Sequence, residues 1–195
     1  MSLRIVDVKV REFNIPLTEP FTITLGTTYT AENILVRLEL ENGIVGYGEG
    51  APFVYVTGET QSTAIKTVEA ARNLLVGKEA SQYRAIAADL ARTFRTQTSA
   101  RMALEMALFD ALTQSWGVPL YQFFGGVSDQ VETDITIPII PAAEAYDKAK
   151  DWAAKGFNYI KIKVGTDLQA DVERVQAIAE AAPNCQLKVD ANQGY

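Results

Sequence analysis

Two pairs of polar residues, each pair with one residue between its members, end two apolar runs of this chain. In the run YIKIKVG (159–165), Lys161 and Lys163 alternate with Ile160, Ile162 and Val164. As a strand this is greasy on one face and carries two ammonium groups on the other. Taken alone, the plainer reading is an amphipathic strand with its lysines in water. In VDANQG (189–194), Asp190 and Asn192 share a face in the same way. Adjacent parallel strands lie ~4.8 Å apart, so neighbouring strands would bring the two pairs within reach of one another. Asp190 could then simply neutralise the lysines, or it could be a metal ligand beside a lysine base.

The second reading has a definite chemistry. Removing a proton from carbon next to a carboxylate builds up charge that needs strong stabilisation, which a divalent cation on the carboxylate oxygens supplies. The base must be neutral near pH 7, so its pKa must fall well below the free lysine value of ~10.4. A second ammonium two residues away, metal charge and partial desolvation all push in that direction. The remaining positive charge helps to hold the developing anion.

Composition narrows the alternatives. The 195 residues suffice for one large domain or two small ones, and 48% hydrophobic with 22% charged residues describes an ordinary globular chain. A net charge of −6 with no basic run speaks against general nucleic-acid binding. No apolar run approaches the ~20 residues of a membrane span, and no signal-peptide pattern opens the chain. Cys185 is the one cysteine, which excludes an intrachain disulfide and fits a reducing, cytoplasmic setting. Histidine is absent. A general base must then be Lys, Asp, Glu or Tyr, and a metal site built from oxygen ligands suits a hard cation such as Mg²⁺.

The elements that position these residues change character along the chain. Residues 3–14 alternate as a strand, with Ile5, Val8, Val10 and Phe13 apolar. Pro16 and Pro20 are expected to bracket a turn before a short strand over 21–25 that ends at Gly26. Residues 33–40 and 44–49 read as a hairpin about Glu41-Asn42-Gly43. Helical spacing follows over 59–76, 81–94 and 99–116. Glu105 and Asp110 lie in the third of these helices, where solvent exposure or structural pairing explains them better than catalysis. After Gly125-Gly126 the rhythm becomes strand (132–138), helix (142–155), strand (159–164), helix (168–182), strand (186–190). A steady spacing of ~25 residues is the signature of parallel βαβ units. In such units Lys161 and Lys163 point inward at the carboxyl ends of the strands, where α/β folds place their sites.

At this point the chain resembles the enolase superfamily, in its muconate-cycloisomerase-like subgroup, and is most similar there to the dipeptide epimerases. The resemblance is carried by PLTEPF (16–21), TAENILVRL (30–38), GYGEGAP (46–52), TGET (57–60), ALEMALFDAL (103–112), GVPLYQFFGG (117–126), ETDITI (132–137), KIKVG (161–165) and VDANQGY (189–195). It implies an α+β capping domain over residues 1–126, an antiparallel meander plus three helices. Residues 127–195 would be the first three strands of a (β/α) TIM-type barrel. It implies a Mg²⁺-dependent epimerase that takes and returns the α-proton of a dipeptide, a pairing of lysine base and Mg²⁺ that general accounts of this superfamily already describe. Lys163 matches the base on one face of the α-carbon and Lys161 its electrostatic helper. Asp190 matches the first of three carboxylate metal ligands. Thr136, Ile162 and the two lysines match substrate-contacting positions, and Asn192 borders them. The loop holding Gly26 and a segment over 53–56 would close over the substrate and select it. A dipeptide or acyl-amino acid substrate, a homo-oligomer, and no nucleic-acid or membrane partner complete the expectation.

The resemblance also has departures. Relatives acting on Ala-Glu carry an arginine where this chain has Gly26, so a less acidic or more hydrophobic dipeptide is expected. Two further acidic ligands and an opposite-face lysine belong to the fourth to sixth strands, whereas a full barrel takes ~250 residues. The 195 residues are therefore expected to be the N-terminal part of an enzyme, inactive and poorly folded if expressed alone. Cycloisomerisation, o-succinylbenzoate synthesis and N-acylamino acid racemisation use the same lysine pair, and a non-catalytic binding protein on this scaffold is the remaining alternative.

Overall fold

The computed structural model describes residues 2–194, which divide into two compact units. The first holds the residues up to Pro16 and Thr30–Asp129, and the second holds Leu17–Tyr29 and the residues from Gln130 onward. No helix among the described residues is long and apolar enough to cross a membrane.

Strands β1 (Ile5–Ile23), β2 (Gly26–Leu40) and β3 (Val45–Gly50) form a sheet in the order β1-β2-β3. β2 and β3 pair antiparallel from Ile34 opposite Gly50 to Glu39 opposite Val45. Their turn is closed by the Gly43 N–H on the Leu40 carbonyl and the Ile44 N–H on Asn42 Oδ1. The expected turn at Pro16 and Pro20 is not there. The chain stays extended through both and reverses only before Gly26. β1 is an edge strand. Both prolines sit at positions of one parity, so their missing N–H groups fall on the same side of the strand, and an edge strand can leave one side unpaired.

Alternate residues of β2 (Ile34, Val36, Leu38, Leu40) are buried, and they join one core with residues of the helices that follow. These are α1 (Val54–Thr57), α2 (Gln61–Leu75), α3 (Tyr83–Thr93), α4 (Thr98–Trp116) and the short α5 (Leu120–Phe123). α2 starts in a reciprocal cap between Thr60 and Thr63 and buries Ala64, Val68, Ala71 and Leu75, a helical period of three and four. α4 lies directly on β3. A Cβ on Gly46 would stand 2.1 Å from the Ala107 carbonyl oxygen, and one on Gly48 would stand 2.0 Å from that of Ala103. The alternating glycines of GYGEG and the small residues of α4 are therefore one contact surface. Asp110, on the same helix, accepts the Tyr47 N–H through Oδ2 at 2.8 Å, so its role is structural.

The amino end of α4 is capped from outside. Glu59 is fully buried and accepts from the Thr98 hydroxyl at 2.8 Å, the Ser99 N–H at 2.9 Å and the Ala100 N–H at 3.4 Å. These are the donors a helix start leaves unpaired. Burial pushes the Glu59 carboxyl up, but the donors from Ser99, Thr98 and Ala100 together outweigh it and hold its pKa below the ordinary value.

In the second unit, β4 (Ile135–Ile137), α6 (Ala142–Ala154), β5 (Tyr159–Lys163), α7 (Leu168–Ala181) and β6 (Gln186–Asp190) follow in sequence. The strands are parallel in the order β4-β5-β6. One face of the sheet carries Ile137, Ile160, Ile162 and Val164, buried against Ala145, Ala149, Ile178 and Ala182. β4 is shorter than the expected strand over 132–138, pairing with β5 only from Ile135 to Ile137.

Candidate active site

Period two in β5 sends Ile160 and Ile162 to the helix side and leaves Lys161 and Lys163 on the other face. The parallel register then sets Thr136 opposite Lys161, Lys161 opposite Lys188, and Lys163 opposite Asp190. Lys163 is 7% exposed, low for a residue type that is rarely buried without a partner. Its Nζ donates to Asp190 Oδ2 at 2.7 Å and to Asn192 Oδ1 at 2.7 Å. Lys161 Nζ reaches the same Asp190 oxygen at 2.8 Å. The other oxygen, Oδ1, accepts the Asn192 N–H at 2.9 Å.

Two cations thus share one anion. Donation from Lys161, then from Lys163, then from the Asn192 N–H holds the Asp190 carboxyl far below the usual carboxylate range. The carboxylate in turn pushes Lys161 up, against a smaller opposing effect of burial. Mutual repulsion of the lysines is therefore not what governs Lys161 here. Asp190 holds it in its charged form.

The carboxyl end of β5 and the segment after β4 are anchored by a buried ion pair with no catalytic motif around it. On α7, Asp171 and Arg174 form a buried pair, with Arg174 Nη1 2.5 Å from Asp171 Oδ1. Arg174 also donates to the Ile140 carbonyl at 2.6 Å and to that of Lys163 at 3.2 Å, while Asp171 Oδ2 accepts the Gly165 N–H at 2.7 Å. A buried charge survives only when paired and hydrogen-bonded, and this pair spends its bonds on the main chain around Lys163. Its only sequence signal is a D-x-x-R spacing in LQADVER, which most often marks a solvated helix face.

The structure therefore brings Lys161, Lys163, Asp190 and Asn192 together and sets Thr136 on their face of the sheet by register. Ile162 is placed elsewhere: its side chain is buried in the helix-side core. Gly26 opens β2 with φ 139, in open space, and takes no part in the lysine cluster. Cys185 donates to the Phe157 carbonyl at 3.2 Å, a structural contact. As a partial Mg²⁺ site the cluster is chemically suitable. Asp190 is a hard oxygen donor that its neighbours hold ionised, with a side chain 30% exposed. Mg²⁺ commonly takes one or two carboxylates and completes its shell with water and substrate oxygens. Among the described residues no group of three acidic, histidine or cysteine side chains could hold a metal alone.

Residues 5–125 match the mandelate racemase / muconate lactonizing enzyme N-terminal domain, and residues 144–195 match the enolase C-terminal domain-like family. An aromatic dipeptide epimerase from Herpetosiphon aurantiacus is 42% identical over all of this chain and 55% of its own length. A hydrophobic dipeptide epimerase from Enterococcus faecalis is 38% identical over 99% of this chain and 55% of its own. Among solved structures, the dipeptide epimerase from Enterococcus faecalis complexed with Mg and the dipeptide L-Leu-L-Tyr superimposes with a TM-score of 0.96 at 38% identity, covering 98% of this chain and 55% of that one. The chain thus spans about half the length of the relatives it matches. Its meander with helices and its parallel three-stranded sheet correspond to the capping domain and part of the barrel of that superfamily. The chain belongs to the mandelate racemase / muconate lactonizing enzyme family of the enolase superfamily.

Proposed function

We propose that the intact protein is a Mg²⁺-dependent dipeptide epimerase favouring hydrophobic or aromatic dipeptides. The observation that carries this reading is the convergence of Lys161 and Lys163 on Asp190 Oδ2 at the carboxyl ends of β5 and β6. Lys163 accepts the α-proton from one face of the substrate's α-carbon. Lys161 stays charged and offsets the negative charge that forms. Asn192, bonded to Lys163 Nζ, aims the amine. Thr136 borders the substrate, and a second base serves the opposite face. Mg²⁺, for which Asp190 would be one ligand, supplies charge stabilisation to the substrate carboxylate when bound. In this reading residues 1–126 are the cap and 127–195 open the barrel.

The preference for apolar dipeptides rests on the two segments expected to cover the substrate. Neither 25–29 (LGTTY) nor 53–56 (FVYV) contains a charged residue. Tyr29 is 68% exposed, and Val54, Tyr55 and Val56 are 51–69% exposed. These exposed side chains are free to make apolar contact with a substrate. The similarity to epimerases named for aromatic and hydrophobic dipeptides supports the same choice.

The test is exchange of the α-proton with solvent deuterium, followed for Leu-Tyr-type and Ala-Glu-type dipeptides beside N-acylamino acids and muconate. The unaltered protein should exchange the apolar dipeptides fastest, and Lys163→Ala should abolish exchange from one stereoisomer. Equal rates from both isomers in that variant, or turnover of muconate alone, would refute the assignment.

A further inference from the structure

The outer half of the β1–β2 hairpin is hydrogen-bonded to residues that follow each strand of the second unit's sheet. After β4, the Ile139 N–H donates to the Thr22 carbonyl at 3.2 Å. After β5 and β6, the Thr24 hydroxyl lies 3.2 Å from the Val164 carbonyl oxygen and 3.0 Å from that of Ala191. Val164 directly follows Lys163, and Ala191 directly follows Asp190. A hydroxyl has one proton to give. Here it is shared between the two carbonyls next to the lysine and the carboxylate.

The surroundings leave little slack. A Cβ on Gly165 would stand 2.7 Å from the Ala191 oxygen and 2.9 Å from Thr24 Oγ1, and one on Gly194 would stand 2.4 Å from the Gly165 oxygen. The Ala191 carbonyl also accepts the Gly194 N–H at 2.8 Å. That bond closes a turn in which Asn192 and Gln193 have φ of 46 and 66. Side chains adopt this left-handed region only where the surroundings hold them. The product of the turn is the placement of Asn192 Oδ1, 2.7 Å from Lys163 Nζ.

We propose that Thr24 is a positioning residue for Lys163. Its hydroxyl pins the hairpin tip to the two strand ends and braces the Ala191–Gly194 turn, which keeps Asn192 on the lysine amine. The bracing is a property of the fold. Only its kinetic consequence rests on the epimerase reading above.

Thr24→Val removes the hydroxyl at nearly constant shape, and Thr24→Ser keeps it. Both are made in the intact protein and examined by hydrogen–deuterium exchange over 21–29 and 191–194 and by α-proton exchange of each dipeptide isomer. In Thr24→Val, amide exchange rises in both segments. Proton exchange from the isomer that Lys163→Ala silences falls about tenfold, the worth of one hydrogen bond, with a smaller change for the opposite isomer. Thr24→Ser restores both. Unchanged protection over 191–194, an equal loss from both isomers, or a failure of serine to restore the parent values overturns the proposal. If the unaltered protein exchanges no dipeptide, the epimerase reading falls, and the amide-exchange comparison still decides the role of Thr24.

Discussion

Lys163 stands directly opposite Asp190 across the parallel β5–β6 pair, and its Nζ lies 2.7 Å from Asp190 Oδ2. Under the proposed function Asp190 would be a Mg²⁺ ligand, and a cation approaching Oδ2 would compete with the ammonium groups that hold it. Asp190→Asn should lower Mg²⁺ affinity by one to two orders of magnitude in the intact protein, because the single carboxylate of the cluster is lost. Lys161→Ala should act in the opposite direction and tighten Mg²⁺ binding several-fold, since a repelling charge and a competitor leave together. Titration calorimetry reads both. Weaker Mg²⁺ binding in Lys161→Ala would show that the lysine does not compete for Asp190.

Glu59 caps α4 with a buried carboxylate, and its effect on stability has a definite sign in acid. Its pKa is lower folded than unfolded. Its contribution is therefore complete above the ordinary value of 4.5 and is lost as pH falls through the folded value. Glu59→Ala leaves the Ser99 and Ala100 N–H groups unpaired and should cost about 2–3 kcal/mol at neutral pH. Thermal melts of the parent and Glu59→Gln should differ at pH 7, and the gap should close as pH falls below 4.5 and through the folded value. A gap that stays constant into acid would remove the charge from the account.

Gly48 has no room for a side chain, since its Cβ would meet the Ala103 carbonyl at 2.0 Å. Backbone must move, which places Gly48→Ala at or above the upper end of the ordinary overpacking cost, at least about 3 kcal/mol. Gly43→Ala is the contrast: nothing lies within 4 Å there, and only its φ of 84 opposes the change. It should cost about 1 kcal/mol, the ordinary penalty for alanine in the left-handed region. Denaturant midpoints of the two variants test the difference, and equal losses would show that α4 does not press on β3.

These contrasts also show where the sequence was legible. Alternation in IKIKV and VDANQ is a property of neighbouring residues, so the shared face of the lysines with Asp190 and Asn192 could be read before any coordinates. The βαβ rhythm supplied the register that brings the pairs together. What escaped depends on distant partners. Pro16 and Pro20 look like a turn until β1 is known to be an edge. Asp171 and Arg174 look solvated until Ile140 and Lys163 offer them carbonyls. Glu59 sits in a turn-like TGET, and its partners lie 39 to 41 residues further on.

The Asp171–Arg174 pair is 4–5% exposed at both side chains. Removing one partner leaves the other charge buried, so Arg174→Met should cost about 3–5 kcal/mol. Asp171→Asn combined with Arg174→Met removes both charges and should recover part of that loss, a coupling that a double-mutant cycle measures. Because Arg174 holds the Lys163 carbonyl at 3.2 Å, the same variants should lose proton exchange beyond what their stability explains. Additive energies across the cycle would mean that the two charges do not support one another.

The resemblance to epimerases acting on Ala-Glu implies an arginine at the position of Gly26, and a Cβ built there meets no atom within 4 Å. In the proposed function the uncharged stretch around it would offer a dipeptide no cation to pair with a second carboxylate. Gly26→Arg therefore adds the one missing charge. The φ of 139 is strained for any side chain and will cost some stability. The hairpin tip is nonetheless the cheapest place to bear that strain, since no neighbouring atom has to move. A charge-assisted pair with a glutamate side chain should raise kcat/KM for Ala-Glu about tenfold or more, mostly through KM, because the contact is made equally before and during proton transfer. Leu-Tyr turnover should fall by a smaller factor as apolar contact is lost. If Gly26→Arg lowers both substrates alike, the tip does not face the dipeptide side chain, and specificity must be sought in the segment around Tyr55.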